Sequence, residues 1–249
     1  MRLAVLSDIH GNLPALEAVL ADARARGASA FVNLGDILSG PLWPRETAHC
    51  LMPLGWPTIA GNHERQLLAC EHQAGGFSDA WAYAQTTPEQ RAWLASLPAS
   101  LDLPGGVHLC HGHPGSDLEY LLETVLPSGS RPATADEVLA RLGDGAARRA
   151  ALLLCGHSHL PRLLWPGAGA PLCVNPGSVG LPAFDDDHIA FHVHQTGSPH
   201  ARYALCERSA SGGWTVAQVA VAYDWPAAVA RAREQGAHDW AGWLATGLA

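Results

Sequence analysis

The stretch Val32-Asn33-Leu34-Gly35-Asp36 decides how the rest of the chain is read. It is a short apolar run that ends on a glycine and one carboxylate, the pattern of a buried strand carrying an acid to a sheet edge. Alone, Gly-Asp after an apolar run is an ordinary turn. The same arrangement recurs on both sides of it, and the recurrence changes its meaning.

Upstream, Leu3 to Leu6 reads as a strand buried on both faces, running out into Ser7-Asp8-Ile9-His10-Gly11-Asn12. Asn12 as N-cap, Pro14 in the first turn and Gly27 beyond the end predict a helix between the two runs. Leu16, Val19, Leu20 and Ala23 give that helix one apolar face. Strand, helix and strand in this order predict a parallel pair with a right-handed crossover.

Downstream, Pro57 to Ala60 reads as a third strand that stops at Gly61-Asn62-His63-Glu64, and residues 64–97 read as mostly helical. Ser100 to Leu103 and Gly106 to Cys110 form a hairpin whose second strand runs into His111-Gly112-His113. Residues 114–133, rich in Pro, Gly and Ser, are expected to form a long surface loop, and Thr134 to cap a helix ending near Leu142. Ala151 to Cys155 is another buried strand, ending in Gly156-His157-Ser158-His159. Further strands are expected at 162–165, 171–174, 188–194, 201–207 and 214–221, then a helix from Pro226 to Gln235 and a short Trp-containing segment. No internal repeat or linker separates two cores, so one domain over residues 1–249 is expected.

Composition removes several function classes. A chain of 249 residues with 48% hydrophobic content can bury a sizeable core and is not disordered in bulk. The net charge of −8 argues against general nucleic-acid binding. Every basic residue is arginine, which excludes Schiff-base chemistry and a Walker-type phosphate loop. Cysteines 50, 70, 110, 155, 173 and 206 form no Cys-x-x-Cys pair and read as reduced thiols of a cytoplasmic protein. The first ten residues are already a strand and a turn, so no signal peptide is expected, and no apolar run approaches a bilayer span.

Five stretches thus place hard or borderline ligands just beyond an apolar strand: Asp8 and His10, Asp36, Asn62 and His63, His111, and His157 with His159. Ligands gather at the carboxyl edge of open α/β sheets, where loops from several strands converge. In Asp8-x-His10 and His157-x-His159 two side chains fall on the same side of an extended segment. Imidazole, carboxylate and amide oxygen together suit borderline divalent transition metals rather than calcium. Each stretch has a plainer reading: Asp8 and Asn12 as helix caps, Gly61-Asn62 as a turn, a lone histidine as a polar strand end. Five in agreement, each after a strand, favour a two-metal cage in which Asp36 bridges.

These stretches resemble the five motifs of the calcineurin-like metallophosphoesterases over residues 3 to about 180. Val174-Asn175-Pro176-Gly177-Ser178-Val179-Gly180 further resembles a signature of the small bacterial, YfcE-like and related branches. The resemblance implies a four-layer αββα sandwich of two mixed β-sheets flanked by helices. It implies two divalent metal ions, manganese first, with iron, nickel, cobalt or zinc as alternatives. Asp8, His10 and His159 would hold one ion, Asp36 would bridge, and Asn62, His111 and His157 would complete the second site. His113 stands as a second candidate beside His111. His63 resembles the family's non-ligand histidine, acting as general acid, with Glu64 to orient it.

The implied activity is hydrolysis of a small phosphoester, a phosphodiester or phosphomonoester, by hydroxide formed at the metals. A protein or dinucleoside-polyphosphate phosphatase, or a non-catalytic scaffold, are the alternatives. Arg65 and Arg162 adjoin the motifs and are candidates to contact phosphate, although each is also a surface residue with acids to pair with. No arginine closely follows Gly180; Asp185-Asp186-Asp187 stands there instead and reads as a solvated loop. His188, His192 and His194 share a face opposite Ile189, Phe191 and Val193, which predicts a strand with its histidine face wet. Trp214, Trp225, Trp240 and Trp243 read as core or interface packing. A homo-oligomer is a separate expectation.

Overall fold

The computed structural model describes residues 2–210 and 212–249. Its centre is a pair of mixed sheets. In the first, strand Arg2–Leu6 lies parallel to Ala30–Asn33 and antiparallel to Ala201–Arg208, which pairs in turn with Trp214–Val221. In the second, Val107–Cys110, Leu152–Leu154 and Leu172–Asn175 run parallel, flanked by antiparallel edges Ser100–Leu103 and Arg162–Leu164.

The period of two along each strand sorts the side chains into layers. Leu3, Val5 and Val32 of the first sheet share one buried cluster with Leu109, Leu154 and Val174 of the second, so the sheets pack face to face. Ala4 and Leu6, pointing the other way, pack with Leu16, Val19 and Leu20 of helix Leu13–Ala25. On the far side of the second sheet, Cys110, Leu153 and Cys173 meet Val138 and Leu142 of helix Ala135–Leu142. Helix, sheet, sheet and helix make the expected sandwich. Each such leucine contributes about 1.5–3 kcal/mol by leaving water.

Local signals act where they were expected. The Asn12 carboxamide accepts from Ala15 N at 3.3 Å, and Thr134 with Glu137 forms a reciprocal capping box. Burial pushes the thiols of Cys110, Cys155 and Cys173 up, which keeps them unreactive at neutral pH.

Four elements differ from expectation. Pro57 to Ala60 touches Asn33 through one parallel bridge at Thr58 instead of forming a strand, because Pro57 stands at its start and its backbone soon turns into helix Asn62–Ala69. The surface loop at 114–133 contains a hairpin, Glu123–Leu126 with Gly129–Pro132, turned by Gly129 at φ 122°. The Trp-containing tail is a helix, His238–Thr246, preceded by Trp225–Glu234.

The strand expected at 188–194 is the second arm of a hairpin, Ala183–Asp186 with His192–Gln195, and its faces are reversed. His192 and His194 are buried, whereas Phe191 is 65% exposed. The inner environment is polar: His192 bonds the Tyr120 hydroxyl at 3.0 Å and His194 the Ser130 hydroxyl at 3.0 Å. Partnered imidazoles are cheaper to bury here than the alternation rule assumes.

Candidate metal centre and active site

The loops that leave four of these strands meet at one end of the sandwich. Asp8 follows Leu6, Asp36 follows Asn33, His111 follows Cys110 and His157 follows Leu154. Among the described residues six non-glycine positions have positive φ, and five of them are Asp8, His10, Asp36, His157 and His159. That conformation costs an L-residue of order 1–3 kcal/mol and concentrates where structure over-determines it. The donors are held in place by their backbone as well as by packing.

Two sets of ligand atoms result, Asp8 with His10 and His159, and Asp36 with His111 and His157, each set within 4.8 Å. All six residues are buried. Every imidazole has one nitrogen tied to a backbone carbonyl. His10 Nδ1 donates to Ser39 O at 2.8 Å, His111 Nδ1 to Leu34 O at 2.7 Å and His159 Nδ1 to Leu181 O at 2.8 Å. His157 uses its other nitrogen, Nε2, to donate to Leu118 O at 2.9 Å. A carbonyl can only accept, so these bonds put a proton on that nitrogen of each ring and turn the other nitrogen toward the place a cation would take, the outer support that metal-ligating histidines have.

The free nitrogens converge. His10 Nε2 and His159 Nε2 face each other at 3.1 Å, and His159 Nε2 lies 3.4 Å from Asp8 Oδ1. His111 Nε2 lies 3.0 Å from Asp36 Oδ2 and 3.1 Å from Asn62 Oδ1. Asn62 Nδ2 is turned away by donation to Gln66 Oε1 at 3.1 Å, one helical turn on. Two ring nitrogens facing each other beside a carboxylate need a proton or a cation between them. The residues therefore fit divalent metal. Of the two adjacent histidines only His111 reaches this cluster; His113 Nε2 lies 3.5 Å from Glu119.

Charge separates the histidines. Burial, then repulsion from His159, pushes His10 down to about 3, and burial with the neighbouring His111 pushes His157 down to about 4. Burial would lower His111 too, but Asp36 first and Asp8 after it raise it to about 10. Burial alone would raise Asp36, yet His111 and His63 beside it hold it well below the usual carboxylate range.

His63 lines the same cavity, of about 400 Å³, without joining either set. Its backbone N donates to Asp36 Oδ1 at 2.9 Å, and its Nδ1 donates to Asp79 Oδ1 at 2.8 Å. Burial opposes charging of His63, but Asp36, followed by the bond to Asp79, raises it to about 9. Asp79 sits in helix Phe77–Gln85 and also accepts from the Ser39 hydroxyl at 2.7 Å. Nothing local in the sequence marks Asp79, which looks like an ordinary acid in the first turn of a helix.

Glu64 does not orient His63, contrary to expectation. Its carboxylate accepts Asp36 N at 2.8 Å, Ile37 N at 2.8 Å and Gly61 N at 2.7 Å, so it clamps two ligand-bearing loops together. Three backbone donors consume both oxygens, and Asp79 orients the ring instead. Arg65 and Arg162 are not among the residues lining the cavity. Arg65 is bonded twice to Asp117, at 2.9 Å each, and Arg162 to buried Glu123 at 2.6 Å. Asp185, Asp186 and His188 do line it, as do Trp240 and Trp243. Asp185 and Asp186 end strand Ala183–Asp186 at the cavity, while Asp185 and Asp187 stay exposed as expected, and these two tryptophans are not simply packing.

The close approach of these loops requires Gly61. A methyl group there would run into the Asp36 carboxylate and come within 2.8 Å of the His111 ring. Gly61→Ala is expected to lower stability by about 1–3 kcal/mol, the usual cost of overpacking. Thermal melts of the metal-free protein, with metal content by elemental analysis, check it; an unchanged Tm with unchanged metal content would contradict the packing.

A model of the calcineurin-like phosphoesterase superfamily domain matches residues 1–197. The chain belongs to that family. A protein of Methanocaldococcus jannaschii, itself uncharacterised, is 31% identical over 203 residues, covering 72% of this chain and 76% of that protein. The crystal structure of a metallophosphoesterase from Sphaerobacter thermophilus matches the whole of both chains with a TM-score of 0.74 at 26% identity. Calcineurin-like phosphoesterases are metal-dependent phosphoester hydrolases, and the buried Asp and His sets described above suit that chemistry. Among the described residues no helix is long and apolar enough to cross a membrane.

Proposed function

We propose that this protein is a dinuclear metal-dependent phosphoesterase acting on a small phosphodiester or phosphomonoester. The observation that carries it is the convergence of two buried ligand sets on one cavity that also holds a protonatable, non-ligand histidine. Asp8, His10 and His159 would hold one cation, and Asn62, His111 and His157 the other, with Asp36 available to both. When bound, the two ions supply Lewis acidity toward the phosphoryl oxygens and a water acidic enough to attack at neutral pH.

The remaining roles belong to the chain. Glu64 keeps the loops of Asp36 and Asn62 in register through its three N–H bonds. His63, held by Asp79 through Nδ1, has Nε2 left to donate a proton to the departing alkoxide. At neutral pH a group with a pKa of about 9 is protonated, the state a general acid needs. The donors, imidazole with carboxylate and one amide oxygen, suit borderline divalent transition ions; manganese, which the family resemblance puts first, is the first to test, with iron, nickel, cobalt or zinc as alternatives.

Loading with manganese, cobalt, nickel or zinc and assaying bis-p-nitrophenyl phosphate tests the proposal. Two ions per chain and metal-dependent turnover support it; no turnover with any of the four supports a non-catalytic scaffold. The dinucleoside-polyphosphate alternative is disfavoured by Asp185 and Asp186 on the cavity lining, where further phosphates would meet like charge.

Proton release follows from the same charges. His111, at about 10, carries a proton at pH 7, whereas His10 and His157, at about 3 and 4, do not. A cation must displace the His111 proton, so loading at pH 7 is expected to release about one proton per chain from this residue, with affinity rising as pH rises. Calorimetry in buffers of different ionisation enthalpy measures the number. A buffer-independent heat would contradict it.

A further inference from the structure

We infer that the aromatic wall of the cavity selects a substrate whose single phosphoryl group carries a planar ring, a nucleobase or an aryl group. The inference rests on the phosphoesterase proposal and deepens it. Beside the cation-binding floor, the apolar part of the cavity is Leu118, Leu181, Phe184, Trp240 and Trp243. The Trp240 ring stands edge-on to the ring of the candidate ligand His10, with centroids 5.8 Å apart and planes at 77°. Trp243 follows at 6.3 Å from Trp240. A ring attached to a phosphoryl group at the floor is therefore within reach of two indoles.

The wall is preorganised. Helix His238–Thr246 shares a buried cluster with helix Trp225–Glu234 and with Leu42 and Leu181 beneath it. Trp240 is packed so closely on Gly40 that an added Cβ there would lie 3.0 Å from the indole edge. Both tryptophans remain only partly buried, which leaves ring surface for a ligand. Both also lie beyond residues 1–197, the part that the family model matches.

Size and charge narrow the class. A cavity of about 400 Å³ has the size of sites that take one small organic ligand. Among the described residues its lining holds no arginine, the chain has no lysine, and Asp185 and Asp186 stand on it. Negative charge on the ligand is thus matched only at the cation floor and at His63 beside it, which favours one phosphoryl group and an uncharged ring.

The test compares adenosine 5′-monophosphate with ribose 5-phosphate, which has the same phosphate and lacks the base. Both are measured as competitive inhibitors of bis-p-nitrophenyl phosphate hydrolysis by the manganese-loaded protein. Base stacking predicts that the nucleotide inhibits at least about fivefold more tightly. Trp243→Ala and Trp240→Ala should bring the two inhibitors within about twofold of each other, and Trp243→Phe should keep most of the difference. Circular dichroism reports whether each variant is folded, and the wild-type comparison stands without them. Equal inhibition in the wild type, or an unchanged preference in both folded alanine variants, overturns the inference. Absence of hydrolysis sinks the phosphoesterase proposal instead. The same two compounds are then compared by titration calorimetry, where a preference for the nucleotide supports the wall and none overturns it.

Discussion

Asp36→Asn is expected to cost metal occupancy and with it nearly all metal-dependent hydrolysis. The side chain is buried, 3.0 Å from His111 through Oδ2, and its Oδ1 accepts the His63 backbone at 2.9 Å. Asparagine has the same shape and still accepts that bond, so the fold should survive. What disappears is a charge placed among His111, His63 and His10. Changing merely an outer partner of a metal ligand typically costs 10–100-fold in affinity. A ligand shared by both ions should cost more than about 100-fold. Elemental analysis after gel filtration, beside a circular dichroism spectrum, is the measurement. Unchanged metal content would contradict the bridging role.

His63→Ala should separate metal binding from proton transfer. Its imidazole is in neither ligand set, so both ions should remain. Loss of a positioned general acid typically costs about 10²–10⁴ in rate. The full loss is expected with alkyl phosphodiesters, whose alkoxide cannot leave unprotonated. It should be much smaller with p-nitrophenyl esters, whose leaving group departs as the anion. Retained turnover of an alkyl ester would refute the assignment.

The sign of the pH effect follows from the raised pKa. The acid form is present below the His63 value of about 9 and is lost as pH rises through it. Bound cations offset Asp36 and move that limb to lower pH. The wild-type rate with alkyl esters should therefore fall on the alkaline side, and this limb should vanish in His63→Ala. Asp79→Ala, which removes the carboxylate on Nδ1, should shift the limb further down while metal content stays unchanged.

Much of the candidate centre is legible because its parts are short and local. Asp8, His10, Asp36, Asn62, His111, His157 and His159 each follow an apolar run within a few residues, and strand ends point to one sheet edge. The cap at Asn12 and the capping box at Thr134 are equally local. Asp79 and Glu64 show where that logic stops. Glu64 follows His63 in the chain, yet its oxygens face three backbone donors, whereas Asp79 is sixteen residues away and reaches the ring. The histidine face of the 192–195 strand fails likewise, because alternation does not reveal that the buried side offers Tyr120 and Ser130 as partners.

By itself, then, the amino-acid sequence determined the layered α/β class, the parallel first pair of strands and which residue types would gather at the sheet edge. Periodicity, caps and strand-end ligands act over a few residues, and those survive any arrangement of the rest. Only the tertiary structure decided which carboxylate holds His63, which nitrogen each histidine leaves free, and that two tryptophans from the last helix wall the cavity. These depend on contacts between segments far apart in the chain, where a few ångströms separate a hydrogen bond from none.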